Sequence, residues 1–222
     1  MRCFFNNKVL EIKSDEGGGI KVVSKVNSGD LKTAIASYLN RSDLTANLAD
    51  FIRLTEARLN RELRVREMVN TDTSITTVSG TQSYTLPTGY LEATTVIFQS
   101  NPYCTLRFIS NTDFYNKYND SQSRGKPQFF TIVGTNILLG RAPDSATTLQ
   151  INFYKTLSAL SDSNSTNTIL TNYPELYLYG SLAEAAPFIM QDERLNTWGN
   201  LYKEALKNAN ETSSRGSTTS SP

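Results

Sequence analysis

The side chains that most often carry enzyme chemistry are scarce in this chain. It has no histidine among its 222 residues. That excludes Ser-His-Asp and Cys-His nucleophilic catalysis and every metal site that needs an imidazole. Its two cysteines, Cys3 and Cys104, are too few for a four-cysteine zinc site and lie in regions of different composition. We therefore expect no disulfide framework, no metal and no cofactor, and we favour a protein that is not an enzyme.

Carboxylates are the remaining candidates for catalysis, as a pair that could hydrolyse a polysaccharide. No spacing singles out two of the candidate acids, which are Asp113, Asp120, Asp162 and Glu175. Asp162 also begins a short segment with the alternating oxygen ligands of a calcium loop. Asn167 stands where that loop needs glycine and Tyr173 where it needs glutamate, so we interpret the segment as a polar loop. A hydrolase stays open only as an alternative.

A basic and aromatic segment gives another alternative, a nucleic-acid-binding module. Lys117, Arg124 and Lys126 lie among aromatic residues that could stack on bases: Phe114, Tyr115, Tyr118, Phe129 and Phe130. The net charge of the whole chain is only +1, which provides no general attraction to nucleic acids. We favour the interpretation that these aromatics are strand residues beside a basic turn.

Helical patterns occur at both ends of the chain. Apolar residues recur at helical spacing over 30–40 and over 43–68, where Arg58 with Glu62 and Glu62 with Arg66 have the i,i+4 spacing of ion pairs. A third helix begins at Pro174, and Pro187 predicts a kink or break before the pattern continues to residue 209. These end segments can bury their apolar faces only by packing together.

The middle of the chain has the pattern of short strands. They are expected at 74–78, 82–86, 91–98, 105–109, 127–133, 136–139 and 147–154. A hairpin-like break is expected at 79–81, and a helical turn at 111–119. The sequence therefore predicts an α+β protein in which a helical bundle formed from both chain ends carries an inserted antiparallel β sandwich or small barrel.

Four segments follow from these patterns. Residues 1–28 are an N-terminal extension in which short strands are expected at 9–13 and 20–23. One hypothesis is that the first two dozen residues are an untranslated leader of the gene that has been read as protein. Residues 29–69 and 172–209 form the helical bundle, residues 70–171 the inserted antiparallel β-domain, and residues 210–222 a flexible C-terminal arm. No window approaches the ~20 apolar residues of a membrane span.

An ordered series of sequence patches resembles the phage adaptor proteins, the head-to-tail connectors of short-tailed bacteriophages. The most specific patches are Tyr-Pro-Glu-Leu-Tyr-Leu-Tyr-Gly at 173–180, Glu-Ala-Ala-Pro at 184–187, Asp-Glu-Arg-Leu at 192–195 and Trp198. Earlier patches follow the same order, at 51–64, 84–87 and 125–134. The resemblance covers residues 29–208.

The resemblance implies a structural virion protein at the head–tail interface, assembled in the host cytoplasm without membrane contact. In such connectors a homo-oligomeric ring, expected to be a dodecamer, joins the portal protein to the tail nozzle. The ring continues the DNA channel without sequence-specific DNA binding. A nucleic-acid-binding module remains the first alternative, and a tail-associated hydrolase the second.

Two groups of site residues are expected on this basis. Carried over from related connectors, the C-terminal arm would bind the portal through Asn210, Thr212, Ser213, Arg215, Thr218 and Pro222. The mixed charges of the 43–68 helix suit a polar contact between ring subunits, made by Arg53, Arg58, Glu62 and Arg66.

Overall fold

The computed structural model describes residues 13–14, 20–21, 27–41, 43–118, 124–188 and 194–215. The chain forms two compact units, one of Met1–Glu67 with Leu157–Pro222 and the other of Met68–Thr156. The six helices of the described part are α1 (Ser28–Leu39), α2 (Leu48–Glu62), α3 (Asn111–Lys117), α4 (Thr168–Asn172), α5 (Pro174–Glu184) and α6 (Arg194–Arg215). Its strands are β1 (Lys13–Ser14), β2 (Ile20–Lys21), β3 (Val69–Thr76), β4 (Ser83–Thr85), β5 (Tyr90–Phe98), β6 (Cys104–Phe108), β7 (Phe129–Val133), β8 (Asn136–Gly140) and β9 (Thr148–Lys155).

Helix α5 lies at the centre of the first unit. It packs against α1, α2, α4 and α6. The sequence pattern indicated an apolar stripe along one side of this helix, but residues such as Tyr177, Leu178 and Ser181 are buried as well. A helix surrounded by four others has little surface left for solvent, which explains the weak amphipathicity of this segment. Helix α5 therefore contacts α1 and α2 from the N-terminal part of the chain as well as α4 and α6 from its C-terminal part.

Helix α2 is shorter than predicted. It ends at Glu62, and Leu63 is in an extended conformation before a 3-10 turn at Arg66–Met68. The predicted helix to residue 68 is wrong because Leu63 and Val65 are both fully buried and the chain turns to place them. The predicted i,i+4 pair between Glu62 and Arg66 is therefore absent from this part of the structure.

The break predicted at Pro187 is confirmed. Helix α5 ends at Glu184, a 3-10 turn covers Ala186–Phe188, and α6 begins at Arg194. The missing N–H of the proline and its clash with the preceding turn account for the interruption. Helix α6 then continues to Arg215, so residues 210–215 are helical rather than part of a flexible arm.

The second unit is a curled sheet of seven strands that forms a half-barrel, in the order β3-β9-β5-β6-β7-β8-β4. Two pairs of consecutive strands form antiparallel hairpins, β5 with β6 and β7 with β8. The expectation of a wholly antiparallel sandwich or small barrel is wrong, because β6 and β7 pair in parallel within one mixed sheet. The connection through α3 is long enough for this crossover, which a tight turn would not allow.

The predicted hairpin at 79–81 is also wrong. Strands β3 and β4 lie at opposite edges of the sheet, where β3 pairs with β9 and β4 with β8. The intervening turn is instead bonded to the 143–147 loop, since the Gly80 N–H donates to the Pro143 carbonyl at 2.9 Å and the Thr77 N–H to the Thr147 carbonyl at 2.9 Å.

The core of the sheet follows the alternation of its strands. Leu149, Ile151 and Phe153 on β9 are buried, as predicted, and pack with Val96 and Phe98 on β5. Within the described residues no helix is both long and apolar enough to span a bilayer. At the N-terminus β1 and β2 pair as an antiparallel hairpin at 13–14 and 20–21, and the rest of the 1–26 segment lies outside the described residues.

Candidate assembly surfaces

Arg58 and Glu62, two of the predicted inter-subunit residues, belong to a cluster inside the helical unit. Arg58 Nε lies 3.2 Å from Glu62 Oε1, which confirms the predicted i,i+4 pair, and Arg58 Nη1 lies 3.4 Å from Glu184 Oε1. The Arg58 guanidinium carbon lies 4.4 Å from the centre of the Tyr202 ring. The Tyr202 hydroxyl donates to Glu62 Oε2 at 3.1 Å. We call these four residues the Arg58 cluster; they join α2, α5 and α6.

The electrostatics of the Arg58 cluster favour a charged arginine and a neutral tyrosine. Burial opposes the charge of Arg58, but the neighbouring Glu62, Tyr202 and Glu184 outweigh it and raise its pKa. Burial raises the pKa of the Tyr202 phenol, and the Glu62 carboxylate raises it further. Tyr202 therefore remains a hydrogen-bond donor at neutral pH, and the cluster links the two ends of the chain.

A second, buried network surrounds Glu56 on the same helix. Glu56 Oε1 accepts hydrogen bonds from the Leu160 N–H at 2.8 Å and from the Tyr177 hydroxyl at 3.3 Å. The Tyr177 oxygen accepts in turn from Asn167 Nδ2 at 2.7 Å. Burial raises the pKa of the Glu56 carboxyl, although both hydrogen bonds favour its charged form. This network attaches the loop before α4 to α2.

Asn60 extends that attachment. Its Oδ1 accepts from the Leu157 N–H at 2.9 Å. Together with the contact from Leu160 to Glu56, this explains why the loop beginning at Leu157 belongs to the first unit. The sequence prediction had assigned residues up to 171 to the β-domain.

A close helix–helix contact explains the glycine at 180. A Cβ at Gly180 would lie 2.5 Å from Thr55 Cγ2, so only glycine allows α5 to approach α2 at this point. Next to it, the hydroxyls of Thr55 and Ser181 are 3.3 Å apart, and both residues are fully buried. Small residues at this crossing bring the two backbones together, as in other close helix packings.

The C-terminal part of α6 is bonded to the segment that follows α2. Asn210 Oδ1 accepts from the Arg64 N–H at 2.9 Å, and Ser213 Oγ accepts from the Arg66 N–H at 2.7 Å. Both backbone groups lie beyond the end of α2, outside its ladder of hydrogen bonds. These two residues of the predicted portal-binding arm therefore have intrachain roles, which the sequence patterns did not indicate. Thr218 and Pro222 lie outside the described residues.

Comparison with protein families identifies the chain. The family described as SU10 adaptor protein matches residues 26–222. The chain belongs to this phage adaptor family. A search of the curated proteins gives no significant match. The match includes the patches at 173–187, so Tyr177 and Gly180 of the buried contacts lie within the family sequence.

Membership of this family makes the adaptor a structural bacteriophage protein associated with the portal and tail. The carboxylates that were considered as a hydrolytic pair each have a different environment in the adaptor. Asp113 Oδ2 accepts from the Ser110 hydroxyl at 2.7 Å in the first turn of α3, and the Asp162 side chain is 99% exposed. Burial raises the pKa of the Glu175 carboxyl, and Asp120 lies outside the described residues. Among the residues described, no cluster of acids and cysteines is placed to hold a metal ion.

The other two predicted inter-subunit residues of the adaptor face solvent. Arg53 pairs with Asp50 at 3.2 Å and its side chain is 78% exposed, while Arg66 pairs with Glu67 at 3.4 Å and is 73% exposed. Ion pairs at such exposure contribute little to stability. Arg53 lies on one side of α2 where every residue is exposed. These residues are Asp50, Arg53, Leu54, Ala57 and Arg61. We call this the outer face of α2.

Proposed function

We propose that the adaptor is the subunit of a closed ring that joins the portal to the tail nozzle and continues the DNA channel. The observation that carries this proposal is the family match over residues 26–222. Twelve copies are the expected number, from the resemblance to connector rings. The helical unit supports the proposal, because the Arg58 cluster and the Glu56 network join α2 to the segments that follow Leu157. A repeated element in a ring must keep its shape at each interface.

The outer face of α2 is proposed as one side of the subunit contact. Leu54 is 47% exposed at its centre, and charges of both signs flank it on Asp50, Arg53 and Arg61. An apolar centre with a polar rim is typical of protein interfaces. Of the four residues first expected there, Arg53 fits this surface best. Arg58 and Glu62 already make contacts within the subunit, with Glu184 and Tyr202.

The portal contact is proposed for the end of the chain beyond the bonded part of α6. Asn210 and Ser213 are used inside the subunit, so the exposed Thr212 and the residues from 215 to 222 remain as the docking segment. Removing residues 216–222 should leave the helical unit folded and weaken portal binding. Removing 210–222 should also destabilise the fold, because the Arg64 and Arg66 N–H groups would lose their acceptors.

The decisive experiment is native mass spectrometry of the purified chain alone and mixed with the portal protein of the same phage. We expect a 24.7 kDa monomer, or a closed ring, that joins the portal as one stoichiometric complex. A persistent monomer that ignores the portal would refute the ring proposal. Leu54→Glu should prevent ring formation on the portal, whereas Val78→Glu, an equally drastic change at an exposed site in the sheet unit, should not.

A further inference from the structure

A basic cleft lies in the sheet unit. Its volume is about 310 Å³. The residues that line it are Lys117, Tyr118, Lys126, Gln128, Gly140 and Arg141. Three of the six are cations, and they come from three separate segments: the end of α3, the loop that precedes β7, and the residue after β8. The sequence had grouped Lys117 and Lys126 with Arg124, but the third cation of the cleft is Arg141.

The three cations have no carboxylate partner among the described residues. None of the ion pairs within that part of the chain involves Lys117, Lys126 or Arg141. Surface lysines and arginines of this protein often pair with a neighbouring acid, as Arg53, Arg58 and Lys207 do. Three cations around one cleft, without an ion-pair partner in the described part of the chain, create a local positive potential that an anion would neutralise.

The two lysines of the cleft are held in place by contacts other than ion pairs. Lys117 Nζ lies 4.0 Å from the centre of the Phe129 ring. Lys126 Nζ donates to the Pro102 carbonyl at 2.6 Å, which uses one of its three protons. The ammonium groups are therefore positioned before any ligand arrives, which reduces the entropy cost of binding.

Arg141 occupies an uncommon backbone conformation. Its φ is +71°, in the left-handed region that residues with a side chain rarely adopt. Its Cδ and Nη1 would both lie 3.7 Å from a Cβ at Gly125, so the arginine side chain extends over a glycine. A strained residue that directs a charged side chain into a cleft is the kind of outlier from which a binding role can be inferred.

The walls of the cleft depend on a second glycine. A Cβ at Gly140 would lie 2.7 Å from Cε2 of Tyr118, so the ring packs directly on the backbone of β8. Tyr118 thereby presents an aromatic surface and a hydroxyl next to the cations. Gln128 adds an amide that can donate to an oxygen.

We propose that this cleft binds a phosphate group, either a phosphodiester of a single-stranded nucleic acid or a free phosphate ion. Three cations exceed what one carboxylate would neutralise, and the arginine fork matches phosphate oxygens. The volume exceeds that of a phosphate alone, and Tyr118 offers a face for a sugar or base. The proposal rests on the sheet unit and is independent of the ring proposal.

The test uses the full chain and a fluorescein-labelled oligothymidylate, with fluorescence anisotropy measured over a range of salt concentrations. The cleft variant carries Lys117→Gln, Lys126→Gln and Arg141→Gln. A control of equal net charge loses exposed cations elsewhere, through Arg107→Gln, Lys155→Gln and Lys203→Gln. Circular dichroism melts check that both variants fold, and the single variant Lys126→Gln provides a milder change if the triple variant does not.

If the cleft holds one phosphodiester, the slope of log K against log salt should fall in magnitude by about 0.7 in the cleft variant. At roughly 0.1 M salt this corresponds to about fivefold weaker binding, provided that affinity at 1 M salt is unchanged. The control should keep both the slope and the affinity of the wild type.

Two competitors are added to the anisotropy assay: inorganic phosphate, which distinguishes the sources of the phosphate, and polyglutamate, an anion without phosphate. Binding of the oligonucleotide with weak competition by inorganic phosphate supports a nucleic-acid strand. Tight binding of inorganic phosphate without oligonucleotide binding supports a free ion. Equal losses in the cleft and control variants, no phosphate binding of either kind, or binding of polyglutamate alone would overturn the proposal.

Discussion

Gly180→Ala is expected to destabilise the helical unit, although alanine is the better helix former. The added Cβ would lie 2.5 Å from Thr55 Cγ2 and 3.3 Å from Cε2 of Tyr202, and both of these residues are fully buried. Carbon atoms in ordinary contact are about 3.5–4.0 Å apart, so α5 and α2 must separate by about 1 Å. Overpacking of this kind costs about 1–3 kcal/mol, and the gain in helix propensity returns about 1 kcal/mol. The net loss in unfolding free energy should be about 1 kcal/mol.

Thr55→Ser is the matched partner in a double-mutant cycle. It removes Cγ2, the atom in the clash, and keeps the hydroxyl that donates to the Phe51 carbonyl at 2.9 Å. Alone it should cost about 1 kcal/mol for the lost buried methyl group. In the double variant the methyl group added at Gly180 occupies the vacated space, so stability should return close to that of the wild type. The coupling energy should be about 2 kcal/mol in favour of the pair, within the range for residues in contact.

Urea unfolding followed by tryptophan fluorescence measures this cycle. Trp198 is the one tryptophan of the chain, and it is buried in α6 at 5% exposure, so its emission reports on the helical unit. Gly199→Ala is the control, because no atom lies within 4 Å of a Cβ there, and it should stabilise by about 1 kcal/mol. The close α2–α5 contact would be refuted if Gly180→Ala stabilised like the control. It would be refuted equally if the two changes were additive within about 0.4 kcal/mol.

Three further changes test the other contacts, each measured by the same urea unfolding. Asn210→Ala leaves a backbone N–H without its acceptor and should cost about 1–3 kcal/mol, while Asn208→Ala on the exposed side should change stability by under about 0.5 kcal/mol. Equal effects would contradict the bonded role of Asn210. Glu56→Gln should stabilise at pH 7, because a raised pKa in the fold means that ionised Glu56 opposes folding; the gain should vanish below about pH 4, where the carboxyl is protonated in both states. A stability gain from Glu56→Gln that grew as the pH fell would contradict the raised pKa of Glu56. Arg58→Met should cost about 1 kcal/mol through the lost cation–π and ion-pair contacts, and Arg53→Met almost nothing; similar losses would count against the Arg58 cluster.

The strands could be predicted because their information is local. On β9 the apolar residues alternate with polar ones, and Leu149, Ile151 and Phe153 are all buried. A half-buried strand imposes this period of two whatever its neighbours are. Pairing is not local in the same way. The turn at Gly80 has the sequence of a hairpin, yet its N–H donates to Pro143, and the two strands it separates form opposite edges of the sheet.

The end of α2 could not be predicted for a related reason. Leu59 and Leu63 continue the helical spacing, so the pattern extends past Glu62. What ends the helix is tertiary structure: Leu63 and Val65 are buried after the chain turns, and Asn210 and Ser213 accept the N–H groups of Arg64 and Arg66. The site residues show the same limit. The spacing of Arg58 and Glu62 predicted their ion pair, but Glu184 and Tyr202, which turn that pair inward, lie over a hundred residues away in the chain.

The bonding of α6 restricts how the adaptor could use its C-terminus. Hydrogen bonds from Arg64 and Arg66 to Asn210 and Ser213 mean that α6 cannot leave the helical unit without exposing unpaired backbone groups and the buried Ala209. Each of these hydrogen bonds exchanged for water would cost about 0.5–1.5 kcal/mol. A docking arm that swung out from residue 210 would therefore weaken the unit that positions it. Portal contact is compatible with a stable subunit only if it leaves these hydrogen bonds intact, and it would then use Thr212 on the exposed side of the helix and the residues after Ser213.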